Sequence, residues 1–164
     1  MLDLCERERL RRSYRPERVR LLFIGESPPA SGRFFYRGDS GLYRAMRDAF
    51  QAMDPSITDA TFLRTFQSSG HYLVDLCPEP VDRMDAKSRR AACRSAEASL
   101  AKAISHLHPP MIATVVRSIE RNVLTAVSAA NWSGTMIHLP YPGRWISNKN
   151  IFLNKVTPIL KLSV

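Results

Sequence analysis

The stretch from Val19 to Gly25 reads VRLLFIG, and it runs into ESPPASGRFFYRGDSG, a long loop rich in glycine, proline and serine. A short apolar run that ends in glycine predicts a buried β-strand, and the composition of the next stretch predicts a loop. Apolar residues then recur at helical spacing from Leu42 to Met53, which predicts a helix. The core therefore begins with a strand, a loop and a helix.

The same order repeats along the chain. Further apolar runs with the length of strands lie at His71–Leu76, Met111–Val116 and Thr135–Leu139. Strands that alternate with helices are typical of a three-layer α/β/α domain with a central four-stranded parallel sheet. Because the chain has the length of one domain and no internal repeat, we expect residues 1–164 to form a single domain.

Several helix boundaries can be predicted. A short helix is expected over Asp59–Phe66, and Asp85 can cap the alanine-rich helix after the second strand. The last helix is expected to bend or break near Pro158, because proline removes a backbone donor. The segment from Arg7 to Arg20 has mixed charge, which is compatible with three alternatives: a short helix, an arm laid across DNA, or a solvated surface segment.

Composition favours a soluble protein with a polyanionic partner. The net charge is +9, and 19 of the 24 basic residues are arginine, which binds phosphate bidentately. We therefore expect DNA as the partner, with residues 1–18 as a basic terminal segment; the alternative is that the charge only aids solubility. The sequence has no apolar run long enough to span a bilayer and no secretory signal, so we expect a cytoplasmic protein without a membrane partner. We also expect it to be a monomer.

The three cysteines, Cys5, Cys77 and Cys93, have unrelated spacings. An odd number without a Cys-x-x-Cys pair argues against a disulfide framework and a closed zinc site. We expect Cys77 and Cys93 to be small buried groups, and we expect no cofactor, metal ion or metal cluster.

Ligands of parallel α/β sheets bind beyond the carboxyl ends of the strands, where the unusual loops of this chain are expected to meet. The first loop places Glu26 and Ser27 at the edge of a cleft and offers three aromatic faces on which a base could stack, those of Phe34, Phe35 and Tyr36. The alternative for Glu26 is a helix cap or an ion-pair partner.

The loop after the fourth strand, residues 140–148, reads PYPGRWISN. Two prolines and a glycine predict a rigid turn with Arg144 and Trp145 at its tip, and Asn148 and Lys149 could begin a helix that points at phosphate. Such a tip could fill the gap that an extruded base leaves in the stack. The alternative is a surface turn with Trp145 packed on the core.

Two motifs resemble those of a known family. Gly25–Pro29, G-E-S-P-P after an apolar strand, resembles the first motif of the uracil-DNA glycosylase superfamily, and Leu139–Trp145 resembles the second, usually H-P-S-P. The resemblance covers nearly the whole chain and implies that family's four-stranded α/β/α fold. Ser27 stands where many members have Asp or Asn, and Leu139 where they have His, with His138 one residue early. The four iron–sulfur cysteines of some members have no counterpart.

Asp75 stands near the end of the second strand, where members of this family often have an Asn that reads the edge of uracil. An amide both donates and accepts, whereas a carboxylate only accepts. A carboxylate therefore suits an exocyclic amine such as cytosine N4 and disfavours uracil O4. The exchange implies a modified cytosine-type base, which would suit defence against phage DNA; the alternative is that Asp75 caps the following loop.

The resemblance thus implies a monofunctional DNA glycosylase that flips a base, hydrolyses its N-glycosidic bond and leaves an abasic site. Glu26 is the first candidate for the carboxylate that stabilises the sugar cation and orients water, Asp39 is the second, and Ser27 could hold that water. Base contacts are expected from Phe35, Tyr36, Asp75 and Tyr141, and DNA contacts from Arg33, Arg144, Trp145, Asn148 and Lys149. The alternatives are a catalytically inactive DNA-binding domain and a small-ligand enzyme on a doubly wound sheet.

Overall fold

The computed structural model describes residues 1–143 and 145–162. Its strands are β1 (Leu21–Gly25), β2 (His71–Asp75), β3 (Met111–Thr114) and β4 (Thr135–His138). Its helices are α1 (Leu4–Ser13), α2 (Gly41–Met53), α3 (Asp59–Ser68), α4 (Ala86–Leu107), α5 (Glu120–Ala129) and α6 (Ile146–Leu162). Short 3-10 turns span Phe35–Arg37 and Arg117–Ile119.

The strands form one parallel sheet in the order β2-β1-β3-β4. β1 lies between two neighbours and is buried along its whole length, as a parallel strand covered by helices on both faces must be. α4 packs against α5, while α2 packs against α6 and α3. The predicted three-layer α/β/α fold is confirmed, and the carboxyl ends of all four strands lie at one edge of the sheet.

Aromatic side chains from β1, α2 and α3 form part of the core, and His71 is buried among them. The ring centroid of His71 lies 5.6 Å from that of Phe50, 5.5 Å from that of Phe66 and 6.1 Å from that of Phe23. Burial, with a smaller contribution from the positive charge of Arg20, lowers the pKa of His71 to about 4. The imidazole is therefore neutral at neutral pH and acts as a core residue.

Both ends of α4 are closed by side-chain or backbone contacts. The carboxylate of Asp85 accepts hydrogen bonds from the backbone N–H groups of Lys87 and Ser88, each at 3.0 Å, so the predicted cap is confirmed. At the other end His108 adopts a left-handed conformation, with φ of 45°, and its N–H donates to the carbonyl of Ile104 at 3.0 Å.

The last helix is not broken near Pro158, which corrects that part of the prediction. α6 begins at Ile146 and continues through this proline to Leu162. Phe152 and Val156 are fully buried, and the helix packs along α2. Tertiary packing therefore outweighs the loss of one backbone hydrogen bond at the proline.

The amino-terminal segment forms a helix that lies on the domain. The guanidinium of Arg11 donates to Tyr72 Oη at 3.0 Å. Tyr14, directly after α1, stacks on Tyr36 with ring centroids 5.6 Å apart, and the Arg64 guanidinium carbon lies 4.8 Å from its ring centroid. Of the alternatives for this segment, the structure therefore shows the short helix. None of the helices described is both long and apolar enough to cross a bilayer.

Cys77 and Cys93 are buried, as predicted, and their Sγ atoms lie 3.8 Å apart. Burial raises the pKa of the Cys77 thiol to about 12, so it is protonated at neutral pH. Within residues 1–143 and 145–162, no three His, Cys, Asp or Glu side chains are grouped so that they could hold a metal ion.

Candidate functional site

The loops that follow β1 and β2 start side by side. Gly25 lies opposite Asp75 in the register of the sheet. The pairing continues past the strands, because Leu76 N donates to Gly25 O at 2.9 Å and Cys77 N donates to Glu26 O at 2.8 Å. These bonds place the backbone of Glu26 beside the end of β2, so two of the predicted site residues share one edge of the sheet.

The glycine at the end of β1 leaves room for the Asp75 carboxylate. A Cβ atom at Gly25 would lie 2.5 Å from Asp75 Oδ1 and 3.9 Å from Val115 Cγ2. The first distance is far below van der Waals contact, so any larger residue at this position would displace the carboxylate. The glycine of the first motif is therefore what allows the Asp75 carboxylate to lie at this place.

Asp75 is a half-buried carboxyl group at the end of β2. Burial raises its pKa to about 7, the positive charges of Arg11 and Arg7 partly oppose that rise, and the negative charge of Glu26 adds to it. No hydrogen bond joins its carboxylate to any other described residue. The alternative that Asp75 caps the following loop is therefore not what the structure shows.

Beside Asp75 is a cavity of about 200 Å3. Its walls come from α1, the loop after β1, the end of β2 and α4, and they include Arg7, Arg11, Pro28, Phe34 and Asp75. Glu8, which is paired with Arg11, lines the cavity as well, so the walls combine two carboxyl groups and two guanidinium groups with apolar surface. Such a combination suits a planar polar ring.

Glu26 is held by an ion pair. The Arg89 side chain, in the first turn of α4, binds it bidentately: Nε donates to Oε1 at 2.9 Å and Nη2 donates to Oε2. The Ser118 hydroxyl donates to the same carboxylate at 3.3 Å. The ion-pair alternative raised for Glu26 is therefore present, and Arg89 both orients the carboxylate and offsets part of its charge.

The other two predicted catalytic residues organise their loops. Ser27 Oγ accepts a hydrogen bond from the backbone N–H of Val81 at 3.3 Å. Asp39 Oδ1 accepts one from the N–H of Phe34 at 2.7 Å, and its Oδ2 lies 3.3 Å from Arg37 Nε. Asp39 thereby fixes the backbone at Phe34, the aromatic residue that reaches the cavity.

Phe35 and Tyr36 do not offer faces to a base, and this part of the prediction is wrong. Both rings are buried in the core, exposed by only 4% and 2%. The Tyr36 hydroxyl donates to Leu73 O at 2.9 Å and accepts from Leu73 N at 2.7 Å. Phe34, one residue earlier, is buried as well, with 5% of its surface exposed, but of the three it is the one that lines the cavity.

The loop after β4 approaches the start of α2 through Tyr141. A Cβ atom on Gly41 would lie 3.9 Å from Tyr141 Oη and 4.0 Å from a guanidinium nitrogen of Arg44. Burial raises the pKa of the Tyr141 hydroxyl, Arg44 opposes that rise, and the charge of Asp75 adds to it. Tyr141 is 47% exposed and is not among the residues that line the cavity, so the structure does not place this predicted base contact at the cavity.

The remaining residues predicted to contact DNA have different surroundings. Trp145 is 74% exposed, so the alternative that it packs on the core is wrong. Asn148 and Arg33 are exposed, whereas Lys149 is half-buried in an ion pair with Asp48 of α2. Arg144 lies outside the described residues.

The second motif departs from the family pattern in three dimensions as well. Leu139 is buried, with 1% of its surface exposed. His138 points elsewhere: its Nδ1 lies 2.8 Å from Thr114 Oγ1 and 3.8 Å from Glu120 Oε1. His138 and Leu139 are both absent from the lining of the cavity, so this motif supplies no imidazole there.

Three arginines of the site were missed in the sequence: Arg89, Arg7 and Arg11. Arg89 binds a residue 63 positions away, and the two arginines of α1 bind Tyr72 of β2 and the loop that follows it. Periodicity carries no signal for such pairs. Phe34 was predicted together with Phe35 and Tyr36, and of the three it is the one that lines the cavity.

Replacing Gly25 with alanine should displace the Asp75 carboxylate. Because a short carboxyl group can rotate away, we expect a loss of stability of about 1 kcal/mol, at the low end for an overpacked site. Gly41→Ala is the matched control, since its Cβ would meet no atom closer than 3.9 Å, and alanine in a helix is favoured by about 0.5–1 kcal/mol. Urea denaturation of both variants checks this, and equal effects would contradict the close approach.

Neither the models of known protein families nor the curated proteins give a match to this chain. Inference about its function therefore depends on the cavity, on the charges around it and on the motif resemblance.

Proposed function

We propose that this chain is a DNA glycosylase that receives an unstacked base beside Phe34 and Asp75 and hydrolyses its N-glycosidic bond, leaving an abasic site. The observation that carries the proposal is the Asp75 carboxyl group, half-buried at the cavity and without a hydrogen bond to another described residue. The Asp75 oxygens are not fully closed off from solvent, so water can solvate them in the free protein. A ligand whose edge supplies hydrogen bonds would take the place of that water.

The size and lining of the cavity support a single ring as the ligand. A volume of about 200 Å3 is smaller than the roughly 300–1,000 Å3 of sites for drug-sized ligands. Pro28, Phe34 and Val74 provide apolar surface, and Asp75 is one of the polar groups of the lining. A base can reach such a cavity only after it has left the helical stack, because its edge and faces are otherwise covered.

The protonation of Asp75 refines which base edge it can bind. The sequence-based prediction assumed an ionised carboxylate, which accepts hydrogen bonds and so favours the amine of a cytosine-type base. With a pKa raised by burial to about 7, Asp75 is a mixture of two forms at neutral pH. The carboxylic acid can donate as well as accept, so selection for an amine-bearing base should strengthen as the pH rises above 7.

The charges around the cavity suit cleavage of the bond between C1′ and the base nitrogen. This reaction leaves negative charge on the base and positive charge on the sugar. Arg7 and Arg11 line the cavity and are paired with Glu79 and Glu8, which offsets part of their charge. The remaining positive charge would stabilise the departing base, since fixed charges act strongly where charge develops. Glu26 is not part of the cavity lining. Oriented by Arg89, it would act on the sugar outside the cavity, where it would stabilise the cation and orient the attacking water.

The second candidate function is a DNA-binding domain without catalysis. It is favoured by the ion pair between Arg89 and Glu26, which offsets the charge that catalysis would use. The buried Leu139 in the place of a family histidine points the same way. Both candidates share the basic surface and differ only in whether an abasic product forms.

An abasic-site assay separates them. Double- and single-stranded oligonucleotides with one cytosine, hydroxymethylcytosine, glucosylated hydroxymethylcytosine or uracil would be incubated with the protein and then cleaved with alkali. We expect strand breaks at a modified cytosine and none at uracil under mildly alkaline conditions. DNA binding without a break in any oligonucleotide would reject the glycosylase and leave the binding domain.

A further inference from the structure

We propose that four exposed arginines beside Glu26, namely Arg90, Arg94, Arg117 and Arg121, form a patch that binds the phosphates of the DNA strand flanking the base. This inference rests on the proposed function and names where the duplex lies. We call these four residues the arginine patch. None of them was among the residues predicted to contact DNA.

The contacts of Glu26 bring the two halves of the patch together. Arg89, at the start of α4, and Ser118, in the 3-10 turn after β3, both bind its carboxylate. Arg90 follows the first and Arg117 precedes the second along the chain. The exposed side chains of Arg90 and Arg117 therefore start from backbone that converges on the predicted catalytic carboxylate.

A second contact extends the patch along α4 and α5. Asn122 Nδ2 donates to Glu97 Oε1 at 2.7 Å, which joins the first turn of α5 to the middle of α4. Arg121 is adjacent to Asn122, and Arg94 lies one helical turn before Glu97. The four arginines thus lie on two packed helices and the turn before α5, next to the carboxyl edge of the sheet.

The charge of the patch is not neutralised within the described residues. No ion pair joins any of the four guanidinium groups to a described carboxylate. Three carboxylates belong to the same contacts. Glu26 is paired with Arg89, whereas Glu97, bonded to the neutral amide of Asn122, and Glu120, 3.8 Å from His138 Nδ1, keep their charge. Four guanidinium groups outweigh these two carboxylates, so the patch is net positive. Solvated guanidinium groups in this state release counterions from DNA when they bind phosphate.

A DNA backbone fits this surface because the cavity holds only one base. The nucleotides on either side of a flipped base must then lie outside the cavity, along the same edge of the sheet. Arginine is suited to this contact because its planar guanidinium binds phosphate oxygens bidentately. The patch would hold the strand in register without reading its sequence.

The test compares two double variants with the same loss of charge. Arg90→Gln/Arg117→Gln removes half of the patch, and Arg18→Gln/Arg20→Gln removes two exposed arginines before β1, at the opposite edge of the sheet. Binding of a fluorescent duplex is measured by anisotropy over a series of KCl concentrations. For the patch variant we expect the slope of log K against log salt to fall by about two and the affinity to fall about tenfold or more.

For the control variant we expect a change in affinity below about twofold. Binding to vesicles of phosphatidylglycerol and phosphatidylcholine is measured in parallel. Equal losses of duplex binding in the two variants, or no loss in either, would overturn the patch. A patch variant that loses vesicle binding and keeps duplex binding would overturn it as well. Thermal melting confirms that both variants fold. Patch-dependent DNA binding without abasic product would reject only the glycosylase, whereas abasic product with an unchanged salt slope would reject only the patch.

Discussion

The Asp75→Asn variant is expected to be more stable than the parent by about 2–4 kcal/mol at about pH 8, and by less than about 1 kcal/mol at about pH 4. The reason is the desolvated carboxyl group, whose pKa rises from 3.8 to about 7 in the folded protein. Above that range folding must bury a carboxylate that the unfolded chain exposes to water. An asparagine of the same shape removes this penalty.

The direction in which stability changes with pH follows from the protons bound by the folded and unfolded states. Between about pH 4 and 7 the folded protein holds a proton on Asp75 that the unfolded chain has lost, so stability from this group falls as the pH rises. His71 acts in the opposite direction: its pKa is lowered to about 4, so its contribution is lost as the pH falls below about 6.5. Comparing the variant with the parent at each pH cancels the His71 contribution.

Chemical denaturation at the two pH values makes the measurement. Asp54→Asn is the matched control, because Asp54 is exposed and bonded to Ser56; these bonds lower its pKa, so its replacement should give no gain at the higher pH. A gain for Asp75→Asn of equal size at both pH values would show that its charge is not the cause.

The second large effect is expected from Glu26→Gln, which should slow base excision by about 10²–10³-fold while DNA binding is retained. The substitution keeps the size of the side chain and removes the negative charge assigned to the sugar cation. Because the partner Arg89 is 37% exposed, water can solvate the guanidinium once the ion pair is lost. The fold should therefore persist, and single-turnover rates would report the chemistry.

Glu17→Gln is the control for that rate. It makes the same chemical change at an exposed residue before β1, away from the contacts of Glu26 and of the arginine patch. We expect its excision rate to stay within about twofold of the parent, as surface substitutions usually have small effects. Unchanged excision by Glu26→Gln would remove Glu26 from the mechanism and leave Asp75 and Asp39 as the carboxylates to test.

The layers of the fold were predictable because they depend on local patterns. Apolar runs such as Leu21–Gly25 and the helical stripes between them determine a buried parallel sheet, and Asp85 signals a helix start by its own chemistry. The continuity of α6 through Pro158 was not predictable from the same rules. Packing on α2 decides it, and no local pattern reports that packing.

The site was predictable at its loops and not in its details. Glu26 and Asp75 lie together because parallel strands end at one edge, which the strand order of the sequence already implied. The burial of Phe35 and Tyr36 depends on a single 3-10 turn, and the ion pair of Arg89 joins distant segments. The protonation of Asp75 depends on burial, and no sequence motif encodes it.

The central claim is that Asp75 contacts the edge of a base held in the cavity beside it. The most direct test is the carbon-13 NMR signal of the Asp75 carboxyl carbon, followed over pH with and without a DNA strand that carries a modified cytosine. We predict a titration near pH 7 in the free protein and a lower midpoint with DNA, because the amine of the base favours the carboxylate. A midpoint that stays unchanged while the DNA is bound would contradict the account.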